Sequence, residues 1–363
     1  MPHSSFSATD PRYRGFIGSE NWSLCVGAGL SPKVVPRWEE LTRRVFAIAT
    51  GQSLSESSFR ELYRSLGWGL DAMLQAGLNA MVSKQQSRAE FVALIEHVLY
   101  DAFLATADEE NLRDVLARAI AYPKSNTVGD SLELCRFLEN HFGNESLFTV
   151  ARWLRRIFLS KNRPAAVLTF NADGLLDLVL TLLAAEEANR SGGTPHYPKD
   201  EFYRVLRASD NLKAAVPVYY LHGCITPKIE RVKRSHESRE NLIFPESGYS
   251  RVSSTVFTWQ QTLFLSHAQS QRLVFIGLSM SDPNLRRWLS WCTASVAQEE
   301  QERAQPPQHG EYIRGRNLWI TRRPDDADHK LALESSLLHL GTRIGWIDGW
   351  DQLPEALANL SGL

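Results

Sequence analysis

Asn171, Asp173 and His222 are the side chains in this sequence whose type and setting suit acid–base or water-positioning chemistry. Each directly follows a short apolar run. Asn171 and Asp173 lie in Thr169-Phe170-Asn171-Ala172-Asp173, after Ala166-Val167-Leu168, and His222 follows Val218-Tyr219-Tyr220-Leu221 and precedes Gly223. A histidine titrates near neutral pH and serves as acid or base. A carboxamide can hold a water or a hydroxyl. Two further signatures follow apolar runs in the same way: Cys25-Val26 leads into Gly27-Ala28-Gly29-Leu30-Ser31, and Leu273-Val274-Phe275-Ile276 into Gly277-Leu278-Ser279-Met280-Ser281-Asp282. Glycines between a strand and a helix let a backbone approach a phosphate at the helix N-terminus, and Ser31 adds a hydroxyl. Gly277 and Ser279 offer a surface for a ribose or an adenine. Each feature also has a plainer role. Asp173 and Asp282 are placed to cap helices, a glycine turn needs no ligand, and a lone histidine is more often structural than catalytic.

Four such signatures gain weight from the elements that must position them. Short apolar runs rich in β-branched and aromatic residues read as buried strands of a parallel sheet. Open parallel sheets bind ligands outside the carboxyl ends of their strands, so the four polar segments converge on one crevice. Further strands are expected at Leu242-Ile243-Phe244, Leu318-Trp319-Ile320 and Arg343 to Ile347, with helices opened by Pro36 and Trp38 and by Asp282-Pro283. A leucine-rich helix is expected to end near Ala185, before a loop from Glu186 to Asp200, and another helix over Lys330 to Leu340. From about Gly51 to Ser160 the pattern is helical only. Ser87 and Glu90 form a capping box, and Phe91, Leu94, Ile95, Val98, Leu99 and Phe103 share one helical face. The fold class is therefore α/β: a parallel sheet with helices on both faces and a large helical insertion. Arg152, Arg155 and Arg156, and the basic loop from Lys228 to Arg239, read first as solvated charged surface.

Composition narrows the class. The 363 residues are 43% hydrophobic and 22% charged, which is ordinary for a globular protein. Forty Lys and Arg against forty-one Asp and Glu leave a net charge of -1, which speaks against a dedicated nucleic-acid binder. Met1 to Gly15 lacks the apolar core of a secretory signal, and no apolar stretch is long enough to span a bilayer, so a cytoplasmic, soluble protein is expected. Cys25, Cys135, Cys224 and Cys292 form no CxxC pair, so neither a zinc ribbon nor a disulfide framework is expected.

Taken in order, GAGLS, TFNADGLL, LHG and GLSMSDPNL resemble the sirtuin superfamily. The resemblance implies a Rossmann-like NAD-binding domain over 1–50 and 161–363, with an inserted helical module at 51–160. It implies that Gly27, Ala28, Gly29 and Ser31 hold the NAD pyrophosphate. Asn171 and Asp173 would line the nicotinamide–ribose pocket, His222 would act as base, and Gly277 and Ser279 would lie toward the adenosine ribose. Two departures separate the chain from protein-deacylating sirtuins. Between Gly223 and Asn241 there is only Cys224 in place of two CxxC pairs, and Lys33-Val34-Val35-Pro36-Arg37-Trp38 lacks an acid. Pro36, Trp38, the helical insertion and Ser281-Asp282-Pro283-Asn284 are instead similar to bacterial sirtuin-like NADases of anti-phage defence. That resemblance implies NAD as substrate, no zinc or other metal, and products nicotinamide and ADP-ribose or its cyclic form. It also implies a homo-oligomer, in some relatives beside a HerA-like ATPase or a short Argonaute, with no membrane and no direct nucleic-acid contact. The alternatives are an NAD-dependent deacylase and a non-catalytic sensor of NAD or ADP-ribose.

Overall fold

The structure, a computed structural model, describes residues 6–18, 21–191, 201–210, 216–229, 245–248, 258–302 and 316–362. The strand expected at Leu242 to Phe244 and most of the basic loop, Arg231, Lys233, Arg234 and Arg239 included, lie outside the described residues.

Among the described residues, eight strands build one sheet: β1 (Phe6–Ser7), β2 (Trp22–Val26), β3 (Ala166–Thr169), β4 (Phe202–Val205), β5 (Val216–Tyr220), β6 (Arg272–Ile276), β7 (Asn317–Arg322) and β8 (Thr342–Ile347). Their spatial order is β1-β8-β7-β6-β2-β3-β5-β4, and every pairing is parallel. The chain leaves β2 toward β3 on one side and later returns to β6 on the other. That reversal at β2 is the topological switch point at which such sheets open a ligand crevice.

Seven helices separate β2 from β3: α1 (Trp38–Thr50), α2 (Glu56–Ser65), α3 (Leu70–Ser83), α4 (Arg88–Leu104), α5 (Glu110–Ala121), α6 (Val128–Phe142) and α7 (Ser146–Phe158). α8 (Leu175–Arg190) follows β3, and α9 (Trp259–Ser270), α10 (Pro283–Glu302), α11 (Ala327–Leu337) and α12 (Leu353–Ser361) lie later in the chain. The Ser87–Glu90 capping box forms at the start of α4, and a second box, Thr127–Asp130, opens α6. α1 starts at Trp38 after Arg37, so Pro36 precedes the helix instead of opening it. α8 continues through Glu186 to Arg190, into the expected loop, because Glu186 and Arg190 pair one helical turn apart. The helix expected over Lys330 to Leu340 is α11 followed by a 3-10 turn at Leu338–Leu340.

Alternate side chains of the strands feed two apolar layers, as the strand period of two requires. Leu24, Val26, Val167, Val218, Tyr220, Val274 and Ile276 face the layer that contains the inserted helices, α8 and α12. Cys25, Leu168, Tyr219, Leu273, Phe275 and Trp319 face α9, α10 and the end of α11. The inserted helices therefore share a continuous core with one face of the sheet. All four cysteines are buried free thiols. No helix among the described residues is long and apolar enough to cross a membrane.

Candidate active site

The register places the four signatures in one row. Val26, the last residue of β2, pairs with Thr169 of β3 on one side and Ile276 of β6 on the other, and Thr169 pairs with Tyr220 of β5. The ladder runs one residue further at each end. Gly27 donates to the Ile276 carbonyl, Phe170 to Val26 and Leu221 to Thr169. Asn171 and His222 each lie two residues beyond a register pair, on neighbouring strands. The sequence expectation that these segments meet at the carboxyl edge holds in the geometry.

Asn171 is buried. Its main-chain N–H donates to Thr169 Oγ1 at 3.1 Å, but its side-chain Oδ1 has no hydrogen-bond partner. Ser31 Oγ, at the end of the glycine turn, is also buried without one. Native structures pair nearly all buried polar atoms, so two orphans at one sheet edge point to a polar ligand.

Asp173 lies one residue ahead of the α8 N-cap, Gly174, and not at the cap as anticipated; its Oδ1 accepts the Leu175 N–H at 3.1 Å in the turn that leads into the helix. Burial pushes its pKa up to about 6 against the pull of that hydrogen bond.

His222 is also buried. Phe170 meets its ring edge-on, with ring centroids 5.2 Å apart. Burial lowers its pKa below the ordinary histidine value, and the Asp282 carboxylate and a main-chain hydrogen bond to Phe170 partly oppose that shift. The imidazole is therefore neutral near neutral pH, the state a base needs.

The glycine turn has a structural explanation of its own. A Cβ on Gly27 or Gly29 would stand 2.6 or 2.8 Å from the Gly277 carbonyl oxygen, and one on Gly277 would stand 2.8 Å from Leu30 N. Gly27, Gly29, Leu30 and Ser31 all spend their N–H groups inside the protein, Gly29 on Gly277 at 2.9 Å. The glycines thus let the turns after β2 and β6 touch, and the Ser31 hydroxyl is buried there without a partner. Ala28 is half-buried in the 3-10 turn Ala28–Leu30. Gly277 takes a left-handed φ of 71°, and Trp319 Nε1 holds the following turn through the Leu278 carbonyl at 2.9 Å. Ser279 is exposed and shares a 2.5 Å hydrogen bond with Ser281.

Some contributions were not anticipated from the sequence. Asp282 caps α10, as its position suggests, but its other oxygen faces His222. Tyr100, inside the apolar stripe of α4, sends its hydroxyl to the main chain of both site loops. Beneath them, Arg204 in β4 pairs with Asp177 of α8 at 2.7 Å, and Tyr220 donates to the same carboxylate at 2.5 Å. Arg204 also donates to the Ile120 carbonyl at 2.8 Å, clamping α5 to the sheet. A cavity of about 430 Å³ opens beside the glycine turn along Pro32 to Arg37, but it holds none of Asn171, Asp173 and His222. Its acids are taken up by its own bases, Glu40 by Arg43 and Arg44, and Glu39 and Glu56 by Arg60.

Among the described residues, Cys135, Glu139 and Glu186 bring ligand-type atoms within 4.8 Å of one another, but Arg152 and Arg190 hold the two carboxylates. Burial also pushes the Cys135 thiol up to about 12, so it stays protonated.

The fold and the site define an α/β protein whose polar strand ends meet at the switch point of a parallel sheet, where such sheets take their ligands. Residues 165–340, just under half of the chain, match the family model described as SIR2-like domain. The match supports a sirtuin-like superfamily and, with it, chemistry on NAD. It spans Asn171, Asp173, His222, Gly277, Ser279 and Asp282, and the glycine turn lies outside it. A comparison with curated proteins finds no match.

Proposed function

We propose that the chain hydrolyses NAD at the nicotinamide N-glycosidic bond. The observation that carries this reading is the orphaned Oδ1 of Asn171, buried beside the row position of a neutral, buried histidine. A water held by that oxygen attacks C1′ of the nicotinamide ribose. The C–N bonding pair moves to the pyridinium nitrogen, so nicotinamide leaves as a neutral base and no metal is required to assist it. The water oxygen bonds to C1′ and its proton passes to His222, which gives ADP-ribose; attack from within the same molecule gives the cyclic form. Ser31 Oγ offers a hydrogen bond to the pyrophosphate. Asp173 fixes the turn that carries Asn171, and Gly277 and Ser279 lie toward the adenosine ribose. In this reading the protein is an anti-phage effector that depletes NAD in an infected cell. Unrestrained turnover would harm its own host, so activity is gated by assembly, with further copies or with a partner such as a HerA-like ATPase or a short Argonaute.

The test is to incubate the purified chain with NAD, with and without candidate partners, and to resolve the products by chromatography. His222→Ala and Asn171→Ala should each lower turnover on the order of a hundredfold or more. Near-normal turnover in either folded variant removes that residue from the mechanism. Nicotinamide release only with an acyl-lysine peptide would favour a deacylase.

A further inference from the structure

Asp282 uses its two carboxylate oxygens differently. Oδ1 accepts the N–H groups of Asn284 at 2.8 Å and Leu285 at 3.2 Å, which fixes the group on the first turn of α10. Oδ2 lies 3.4 Å from Nε2 of His222, at the end of β5. The His222 side chain is 9% exposed and that of Asp282 17%, so solvent screens the pair little. Capping a helix needs one oxygen and no charge, and Ser, Thr or Asn would serve as well as Asp. The cap therefore does not account for a carboxylate whose second oxygen faces the histidine at the end of β5.

We propose that Asp282 is a positioning residue for His222: its α10-anchored carboxylate orients the imidazole and stabilises the imidazolium formed when His222 takes a proton from the attacking water. The inference rests on the reading of His222 as the base in NAD hydrolysis. The 3.4 Å separation is loose for a hydrogen bond, as such contacts often are before substrate binds. Among the described residues, groups face His222 from the turn before α10 and from the end of β3. The Asp282 carboxylate approaches from the turn before α10, and the Phe170 ring and main chain from the end of β3. Among the described residues, Asp282 is the charged group whose field acts on the ring. A carboxylate favours the protonated imidazole, so its removal takes away a contribution that opposes the effect of burial.

Asp282→Asn separates the two roles, because asparagine caps a helix about as well as aspartate. Two readouts are taken on the full chain: the NMR titration of the His222 ring, and the pH dependence of NAD turnover. The His222 pKa should fall, because the carboxylate that favours the protonated ring is gone. The acidic limb of the rate profile should move to lower pH with it. kcat should fall roughly tenfold or more while KM changes little, as for a group that acts mainly in the transition state. Asp282→Ser, which also keeps a cap, should behave in the same way and serves if the Asn variant does not fold. An unchanged His222 titration in a folded variant overturns the proposal. If the parent protein does not turn over NAD, the functional reading fails, yet the titration still reports whether Asp282 acts on His222.

Discussion

Tyr100 donates its hydroxyl proton to the carbonyl of Ile225 across 2.7 Å. The same oxygen receives the N–H of Gly174 at 3.1 Å, and Ile225 in turn donates to Ala172 at 2.7 Å. Ile225 lies three residues after His222, and Gly174 three residues after Asn171. One phenol from α4 thus ties together the loops that carry the two proposed reacting groups. The inserted helices are built into the site through this contact, not merely stacked on the sheet.

Tyr100→Phe keeps the ring in its fully buried place and removes that tie. Two buried main-chain groups lose their partner, a cost of about 1–3 kcal/mol. Denaturant unfolding should show that loss. NAD turnover should fall further than the stability change explains, because both loops gain freedom. A variant with parental stability and parental turnover would show that water replaces the hydroxyl without consequence.

Gly277→Ala tests the contact between the turns after β2 and β6. The new Cβ meets Leu30 N at 2.8 Å and the Gly27 carbonyl oxygen at 2.9 Å, on a backbone with φ of 71°. Strain of that kind costs about 1–3 kcal/mol. Gly15 has a similar φ of 67° with nothing within 4 Å of its Cβ position, so Gly15→Ala reports the backbone term alone. Thermal unfolding should place Gly277→Ala clearly below Gly15→Ala. Equal shifts would mean that the two turns do not depend on each other.

The strand-end residues were legible because apolar runs ending in glycine or polar residues mark strands of a covered parallel sheet, and four of them agreed. Asp282 was legible as a cap, since capping is a local pattern. Its approach to His222 was not, because sixty residues separate the two and only the register of β5, β3, β2 and β6 joins them. Tyr100 is hidden for a different reason. In Val98-Leu99-Tyr100 it reads as one more core residue, and nothing local marks a phenol whose partners lie beyond β3 and β5. The short edge strands β1 and β4 lack the long apolar run of a central strand. Phe202-Tyr203-Arg204-Val205 carries an arginine that is tolerable only because Asp177 awaits it. Arg155 was read as solvated since its acids, Glu187 and Glu201, lie on other segments.

Asp173 makes stability depend on pH. Its pKa rises from 3.8 to about 6 on burial, so the folded protein holds this proton more tightly than the unfolded chain. The resulting stabilisation is fully present below about 4 and is lost as pH rises through about 6. A shift of that size corresponds to about 3 kcal/mol. Asp173→Asn keeps an acceptor for the Leu175 N–H without a charge to bury. Its stability should therefore lack this fall between pH 4 and 7, and at pH 7 it should unfold at higher denaturant than the parent protein. Parallel pH profiles of stability for parent and variant would exclude a buried, proton-binding Asp173.

Arg155 and Arg156 are adjacent in α7 but differ in kind. The Arg155 side chain is 8% exposed and pairs with Glu187 at 2.5 Å and also with Glu201, so it joins α7 to the end of α8 and to the residue before β4. The expectation of a solvated arginine face fails at this position. Arg156 is exposed. Removing one partner of a largely buried pair strands the other charge and costs about 3–5 kcal/mol when burial is complete; the half-exposed Glu187 reduces that to about 1–3 kcal/mol here. Arg155→Ala should lower the unfolding midpoint, and Arg155→Glu should lower it further by adding a third acid. Arg156→Glu should leave it unchanged within about 0.5 kcal/mol, the usual range for exposed sites. This difference decides how gating by assembly can be probed on this helix. Loss of oligomer in Arg155→Glu would follow from damage to the α7–α8 contact, whereas loss in Arg156→Glu at parental stability would identify a contact surface. If Arg156→Glu keeps the parental mass and NAD turnover, the outer face of α7 takes no part in assembly.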